Sequence, residues 1–293
     1  MHKEISYRIL ITGLMAGLSL GLSAGIANAQ ANQNTPGQDD MYCSGVVTNQ
    51  PVPRDTYVIS GEDSQAKNTF GPGDYVYINR GAAQGVKVGD EFEVTRAVRD
   101  PEQATTWFKY QAMLSRAMGT TMADVGRLRV VHVDPKTSTA EISLSCDFMQ
   151  RGDIVRPFVE RAIPQFHHVK LDPFAPPSGK KMAMVVNTKD FGDVSSGNRI
   201  IYINLGSAQG VQVGDYFRIF RYQGTRNETV YQVEHTAYKM YGFGSTPIAY
   251  QWNDLPRQVV GEGIVLRTGP NASTVLLTNL REEVFTGEYA EVE

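Results

Sequence analysis

The sequence has 293 residues, 41% of them hydrophobic and 20% charged, with 28 glycines, two cysteines and a formal net charge of −3. That length and apolar content suit two ordinary domains with packed cores. The mild acidity supplies no electrostatic footprint for nucleic acid or anionic lipid, so neither is expected as a partner.

The chain opens with Lys3 and Arg8, an apolar run from Ile9 to about Ile26, and Ala27-Asn28-Ala29. A positive n-region, an apolar stretch and a small-x-small site are the parts of a secretory signal peptide. Residues 1–29 are therefore expected to be cleaved. A retained anchor is the alternative, since the run approaches the ~18 apolar residues that suggest a span. The glycines inside the run argue against it. The expected product is exported, periplasmic or outer-membrane-associated, soluble after cleavage, and without stable membrane insertion. Residues 30–55 are expected to be a tail, disordered to about Asp40, and then an N-terminal segment beginning at Tyr42-Cys43. An oxidising compartment would let Cys43 pair with Cys146, closing a loop of roughly 100 residues for about 4.7 kcal/mol at most. Two unpaired thiols remain the alternative, because sequence does not supply the geometry.

The next feature is a repeat. Tyr77-Ile-Asn-Arg-Gly-Ala-Ala-Gln-Gly-Val-Lys-Val-Gly-Asp90 has a near-copy in Tyr202-Ile-Asn-Leu-Gly-Ser-Ala-Gln-Gly-Val-Gln-Val-Gly-Asp215. Such self-similarity means a duplicated structural unit. The first unit is placed at 56–157. Within it, Asp74–Asn79 reads as a strand bounded by glycines, and Glu91–Arg96 alternates so that Phe92 and Val94 face inward while Glu91, Glu93 and Thr95 face water. Gly126–Val133 is a strand, Asp134–Thr137 its turn, and Ser138–Ser145 the return, with Ala140, Ile142 and Leu144 on one face. Gly152–Val155 starts the closing strand. Residues 158–181 form a Pro-rich linker. The second unit, 182–293, repeats the order, with Phe217 and Ile219 in the places of Phe92 and Val94. The predicted fold is all-β: two tandem small β-barrels, SH3-like or six-stranded, with variable inserts.

The repeat motif resembles the C-terminal domain of the flagellar assembly protein T. The stretch Val260–Thr278 is similar to the β-domain of the rod-shape-determining protein C, and Val125–Arg156 resembles segments that follow LysM modules in bacterial envelope proteins. These resemblances imply a small β-barrel, a bacterial envelope setting and scaffolding work without catalysis. The chain lacks a coiled coil and an evident LysM module, and a fold match does not transfer a job.

Chemistry is sparse. His132, His167, His168 and His235 have no H-E-x-x-H, C-x-x-C or flanking carboxylate cluster, so no metal and no cofactor is expected. Gly-x-Ser-x-Gly is absent, and pairing would remove a cysteine nucleophile, which leaves a hydrolase as the least supported reading. Gly81, Gly85, Gly89 and Asp90, with Gly206, Gly210, Gly214 and Asp215, lie between strands and are expected to serve turns rather than to bind phosphate or calcium. The inserts differ between copies. The first, about Val98 to Asp124, carries Trp107, Tyr110, Leu114 and Ala117 at helical spacing. The second, about Tyr222 to Gln258, carries Tyr238, Tyr241, Phe243, Tyr250 and Trp252. Trp107, Tyr110 and these five aromatics are the candidate partner contacts. The sequence thus predicts an exported, non-enzymatic envelope adaptor for a protein partner, with a peptidoglycan or other glycan binder as the alternative.

Overall fold

Residues 35–100, 110–167, 169–222 and 255–293 are described by a computed structural model. The expected signal peptide, Trp107, His168, His235 and the aromatics from Tyr238 to Trp252 lie outside the described residues. The first copy comprises β1 (Val46–Thr48), β2 (Val58–Gly61), β3 (Thr69–Phe70), β4 (Tyr75–Ile78), β5 (Glu91–Val98), β6 (Thr120–Val133), β7 (Ser138–Ser145), β8 (Met149–Gln150) and β9 (Ile154–Pro157). The second comprises β10 (Met182–Thr188), β11 (Val194–Ser195), β12 (Ile200–Ile203), β13 (Tyr216–Arg221), β14 (Gln258–Thr268), β15 (Ser273–Leu280), β16 (Val284–Phe285) and β17 (Tyr289–Val292). Two short helices, α1 (Gln38–Tyr42) and α2 (Gln111–Met118), belong to the N-terminal segment and the first insert.

The pairing order is the same in both copies. The first sheet runs β2-β4-β7-β6-β5-β9, with β1 added to β6, and the second runs β10-β12-β15-β14-β13-β17. The second is a closed barrel, because β10 pairs with β17. The first is a seven-stranded sheet whose ends meet at a single bridge, Tyr57 to Ile154. There Gly152 N donates to Val58 O at 2.8 Å and Val155 N to Thr56 O at 2.9 Å. Each copy encloses its own apolar core. Val58, Phe92, Val94, Leu128 and Ile142 fill one, and Val185, Phe217, Ile219, Val265 and Val275 the other. Each such side chain contributes roughly 1.5–3 kcal/mol on burial.

The repeat motif joins β4 to β5 and β12 to β13 through one turn of 3-10 helix, Ala82–Gln84 and Ser207–Gln209. Gln84 Oε1 accepts from Gly81 N at 2.9 Å, and Gln209 Oε1 accepts from Gly206 N at 2.8 Å. Gly85 and Gly210 then take positive φ (83° and 89°), which is cheap only for glycine. Asp90 accepts from Lys87 N at 2.9 Å and Asp215 from Gln212 N at 2.8 Å, so each carboxylate closes its own turn.

Three local readings need correction. Thr95 is buried rather than solvent-facing, because a bulge between Val94 and Thr95 shifts the β5–β6 register and turns the side chain inward. The first insert is shorter than expected, since β6 already starts at Thr120 and pairs there with both β1 and β5. The tail takes on structure before Asp40: α1 starts at Gln38 and buries Met41. Met41, with Val47 and Met118, packs onto the outside of the second barrel against Ile200, Tyr202, Ile264 and Leu266. Cys43 and Cys146 are disulfide-bonded, Cα–Cα 5.3 Å, which fastens this N-terminal segment to the end of β7.

Candidate functional site

The duplication lets one surface be compared with itself. On the outer face of the second barrel, Ile200 lies opposite Leu276, which in turn lies opposite Ile264. One step along, Tyr202 lies opposite Thr274. This face is dry: Ile200 is 7% exposed and Tyr202 1%. The segment after α1 covers it. Tyr202 Oη donates to Ser44 O at 2.9 Å and Thr274 Oγ1 to Gly45 O at 3.0 Å, while burial pushes the Tyr202 phenol pKa upward. From the side, α2 adds a hydrogen bond from Gln111 Nε2 to Val186 O at 2.9 Å.

Among the described residues, nothing covers the same face of the first copy. Its equivalent rows are Tyr75–Glu141–Arg129 and Tyr77–Thr139–His132. Tyr57, Tyr75 and Tyr77 are 41%, 39% and 39% exposed, and Ile59 and Val131 are exposed beside them. The alternation in β4 explains this, since Val76 and Ile78 point into the core and the tyrosines point out. The charges on the face are modest: Arg129 pairs with Glu91 at 3.2 Å, and His132 lies 3.5 Å from Asp134. The result is a face that presents three exposed tyrosines with their hydroxyls and little net charge.

Two groups of titratable residues lie elsewhere, and neither was singled out from the sequence. The first is a duplicated ion pair. Arg96 grips Asp153 through Nε and Nη2 at 2.7 and 2.8 Å in the first copy, and Arg221 Nη2 lies 2.6 Å from Glu288 Oε1 in the second. Glu288 is fully buried, and desolvation drives its pKa up to about 7 despite the opposing pull of Arg221. The second group brings His167 of the linker to Glu262 on β14 and Glu293 beyond β17, with Nε2 at 3.5 Å and 3.8 Å from their Oε2 atoms. Burial, together with the nearby Glu293 charge, raises the Glu262 pKa. A further carboxylate, Asp124, ties segments together by accepting from Gly45 N at 2.8 Å and from Arg267 Nη1 at 2.9 Å, with Arg161 at 3.4 Å.

Of the aromatics expected to meet a partner, the structure describes Tyr110, which is 47% exposed at the N-terminal end of α2. The eight repeat-turn residues sit in the turns and converge on no ligand-sized site. An open cavity of about 620 Å³ beside α2 is lined by Arg99, Gln111, Arg116, Asn187 and Phe191 among others, and adjoins residues outside the described set.

Residues 219–292 match the family model of the RQC domain. The match spans about a quarter of the chain, from β13 to β17. None of the curated proteins compared with the chain matches it. The RQC domain is a helicase-associated, nucleic-acid-binding domain of RecQ-type proteins. This finding overturns the expected kinship with the flagellar, rod-shape and LysM-associated β-domains. The physical reason is visible in the turns: the glycines and aspartates that carried the resemblance serve intramolecular hydrogen bonds, and so report local geometry rather than ancestry. With that kinship go the exported envelope adaptor and its glycan-binding alternative, the periplasmic or outer-membrane address, and the exclusion of nucleic acid as a partner. Among the described residues no helix is long and apolar enough to cross a membrane.

Proposed function

We propose that the chain is a non-catalytic nucleic-acid-binding protein, built from two tandem copies of one six-stranded barrel, with the outer face of the first copy as the surface on which unpaired bases stack. The reading rests on the RQC match over 219–292. The geometry supports it in two ways. Both copies share one strand order, with the Tyr57–Ile154 bridge joining the ends of the first. The face that is covered in the second copy is open in the first and presents Tyr57, Tyr75 and Tyr77. Stacking on aromatic side chains is worth about 1–3 kcal/mol per base and tolerates any sequence. With a chain charge of −3 and Arg129 already paired, phosphate neutralisation contributes little, so the salt dependence should be shallow.

The test is fluorescence anisotropy with labelled single-stranded DNA and RNA of mixed sequence, across a salt series. The expected result is binding that Tyr75→Ala with Tyr77→Ala reduces by at least about tenfold, with the fold kept because both side chains point outward. Failure of the intact protein to bind either strand type, or a double variant that binds as well as the parent, would reject this reading.

A further inference from the structure

We infer that His167, Glu262 and Glu293 form a divalent metal site of the zinc class, which fastens the linker between the copies onto the second barrel. The three ligand atoms all lie within 4.8 Å of one another. Zinc held at about 2.0–2.1 Å in a tetrahedron needs ligand-to-ligand edges of roughly 3.3 Å, so the 3.5 and 3.8 Å separations close with shifts of a few tenths of an ångström. The imidazole is already held in position. It stacks on the Tyr216 ring at 3.4 Å between centroids, while the His167 backbone N–H donates to Tyr216 Oη at 2.9 Å.

Two further observations point to a missing cation. Nε2 of His167 is buried and, among the described residues, makes no well-formed hydrogen bond, its nearest acceptors being the two carboxylates at 3.5 and 3.8 Å. The Glu262 side chain is only 4% exposed and, among the described residues, has no Lys or Arg within 4 Å. Glu293 divides its carboxylate: Oε1 accepts from Arg218 Nε at 3.1 Å, which leaves Oε2 turned toward the imidazole. One imidazole and two carboxylates form a borderline nitrogen-oxygen set that suits zinc and its first-row neighbours. The comparison between copies sharpens the point. On adjacent strands the first copy sets Arg127, Glu93 and Arg156 side by side, and the second sets Glu262, Arg218 and Glu291. The charges are reversed. Where Phe158 and Tyr42 pack over the Arg127 guanidinium, at 3.7 and 4.6 Å from their ring centres, the second copy has a histidine and a second carboxylate.

Calorimetric titration of the chelator-treated full chain with Zn²⁺ tests the site, with Co²⁺ as the spectroscopic probe. One equivalent should bind, Co²⁺ should give the visible bands of a four- or five-coordinate ion, and Zn²⁺ should raise the melting temperature. His167→Ala and Glu262→Gln should each weaken binding by at least about tenfold, whereas His132→Ala, on the exposed face of the first copy, should leave it unchanged. Glu262→Gln keeps the shape of the side chain, so a folding defect in one variant does not decide the outcome. Absence of Zn²⁺ binding, or binding that both variants retain, would overturn the proposal and leave His167 as a side chain set between two carboxylates.

Discussion

Glu288→Gln should remove most of the pH dependence of stability between about pH 4.5 and 7. The carboxyl sits fully buried between β16 and β17, and among the described residues its one cationic neighbour, Arg221, also serves Glu282 Oε2 at 3.2 Å and the Glu283 carbonyl at 2.9 Å. A guanidinium shared in this way cannot return the full cost of desolvating Glu288. The carboxyl therefore holds its proton up to about pH 7, against an ordinary value of 4.5. The sign follows from proton counting. Between those two pH values the folded chain keeps a proton that the unfolded chain has lost. The stability this group contributes is thus complete below the unfolded value and is lost as pH rises through 4.5 to 7. At 1.36 kcal/mol per pH unit the loss amounts to about 3 kcal/mol. Glutamine keeps the shape and cannot ionise. Urea or guanidinium unfolding of both proteins across the range should give a stability difference that shifts by about 3 kcal/mol in favour of the glutamine variant. A constant offset from losing the partner of Arg221 does not alter that slope. Parallel stability profiles would mean that Glu288 is ionised throughout, that Arg221 wins over desolvation, and that the reasoning fails.

Two further perturbations probe the frame around the sites. Gly206→Ala should destabilise far more than Gly210→Ala, because a Cβ at 206 would lie 2.3 Å from the Gly269 carbonyl oxygen whereas one at 210 meets nothing within 4 Å. The second substitution then costs only the strain of a left-handed residue, roughly 1–2 kcal/mol, and thermal melts of the two variants should rank accordingly. Asp124→Ala should cost about 3–5 kcal/mol, since it leaves the buried ends of Arg161 and Arg267 without their shared carboxylate and frees Gly45 N. Limited proteolysis should then cut the linker and N-terminal segment sooner, and an unchanged digestion rate would argue against Asp124 as the tie between them.

Much of the fold was legible because a repeat constrains two segments at once. The shared order of strands, the inward Phe92 and Val94 with Phe217 and Ile219, and the glycine-bounded turns follow from residues that recur. What recurrence could not convey was everything that differs in three dimensions between copies. Thr95 is buried through a bulge, a shift that alternation cannot register. His167, Glu262 and Glu293 come from a linker, from β14 and from the residue after β17, so no spacing links them. The Arg96–Asp153 and Arg221–Glu288 pairs were within reach. In both copies an arginine on the fifth core strand meets an acid directly after the glycine of the last turn, and aligning the copies residue by residue would have flagged them.

The clearest missed signal lies in β4 and β12. Tyr75-Val-Tyr-Ile78 alternates between exposed and buried, whereas Ile200-Ile-Tyr-Ile203 is buried at all four positions. An antiparallel strand with one face in water alternates, and a continuous apolar run marks a strand covered on both sides. Placed next to each other, the two tetrapeptides already say that the strand of the second copy is sandwiched and that of the first is not. The covering layer is the N-terminal segment with α2, held by the Cys43–Cys146 bond and by the hydrogen bonds to Ser44 and Gly45. One copy therefore spends its outer face on assembling the molecule, while the other keeps three tyrosines in solvent. Within the described residues, that asymmetry between two units with one strand order, rather than the repeat itself, is where a binding function has room to reside.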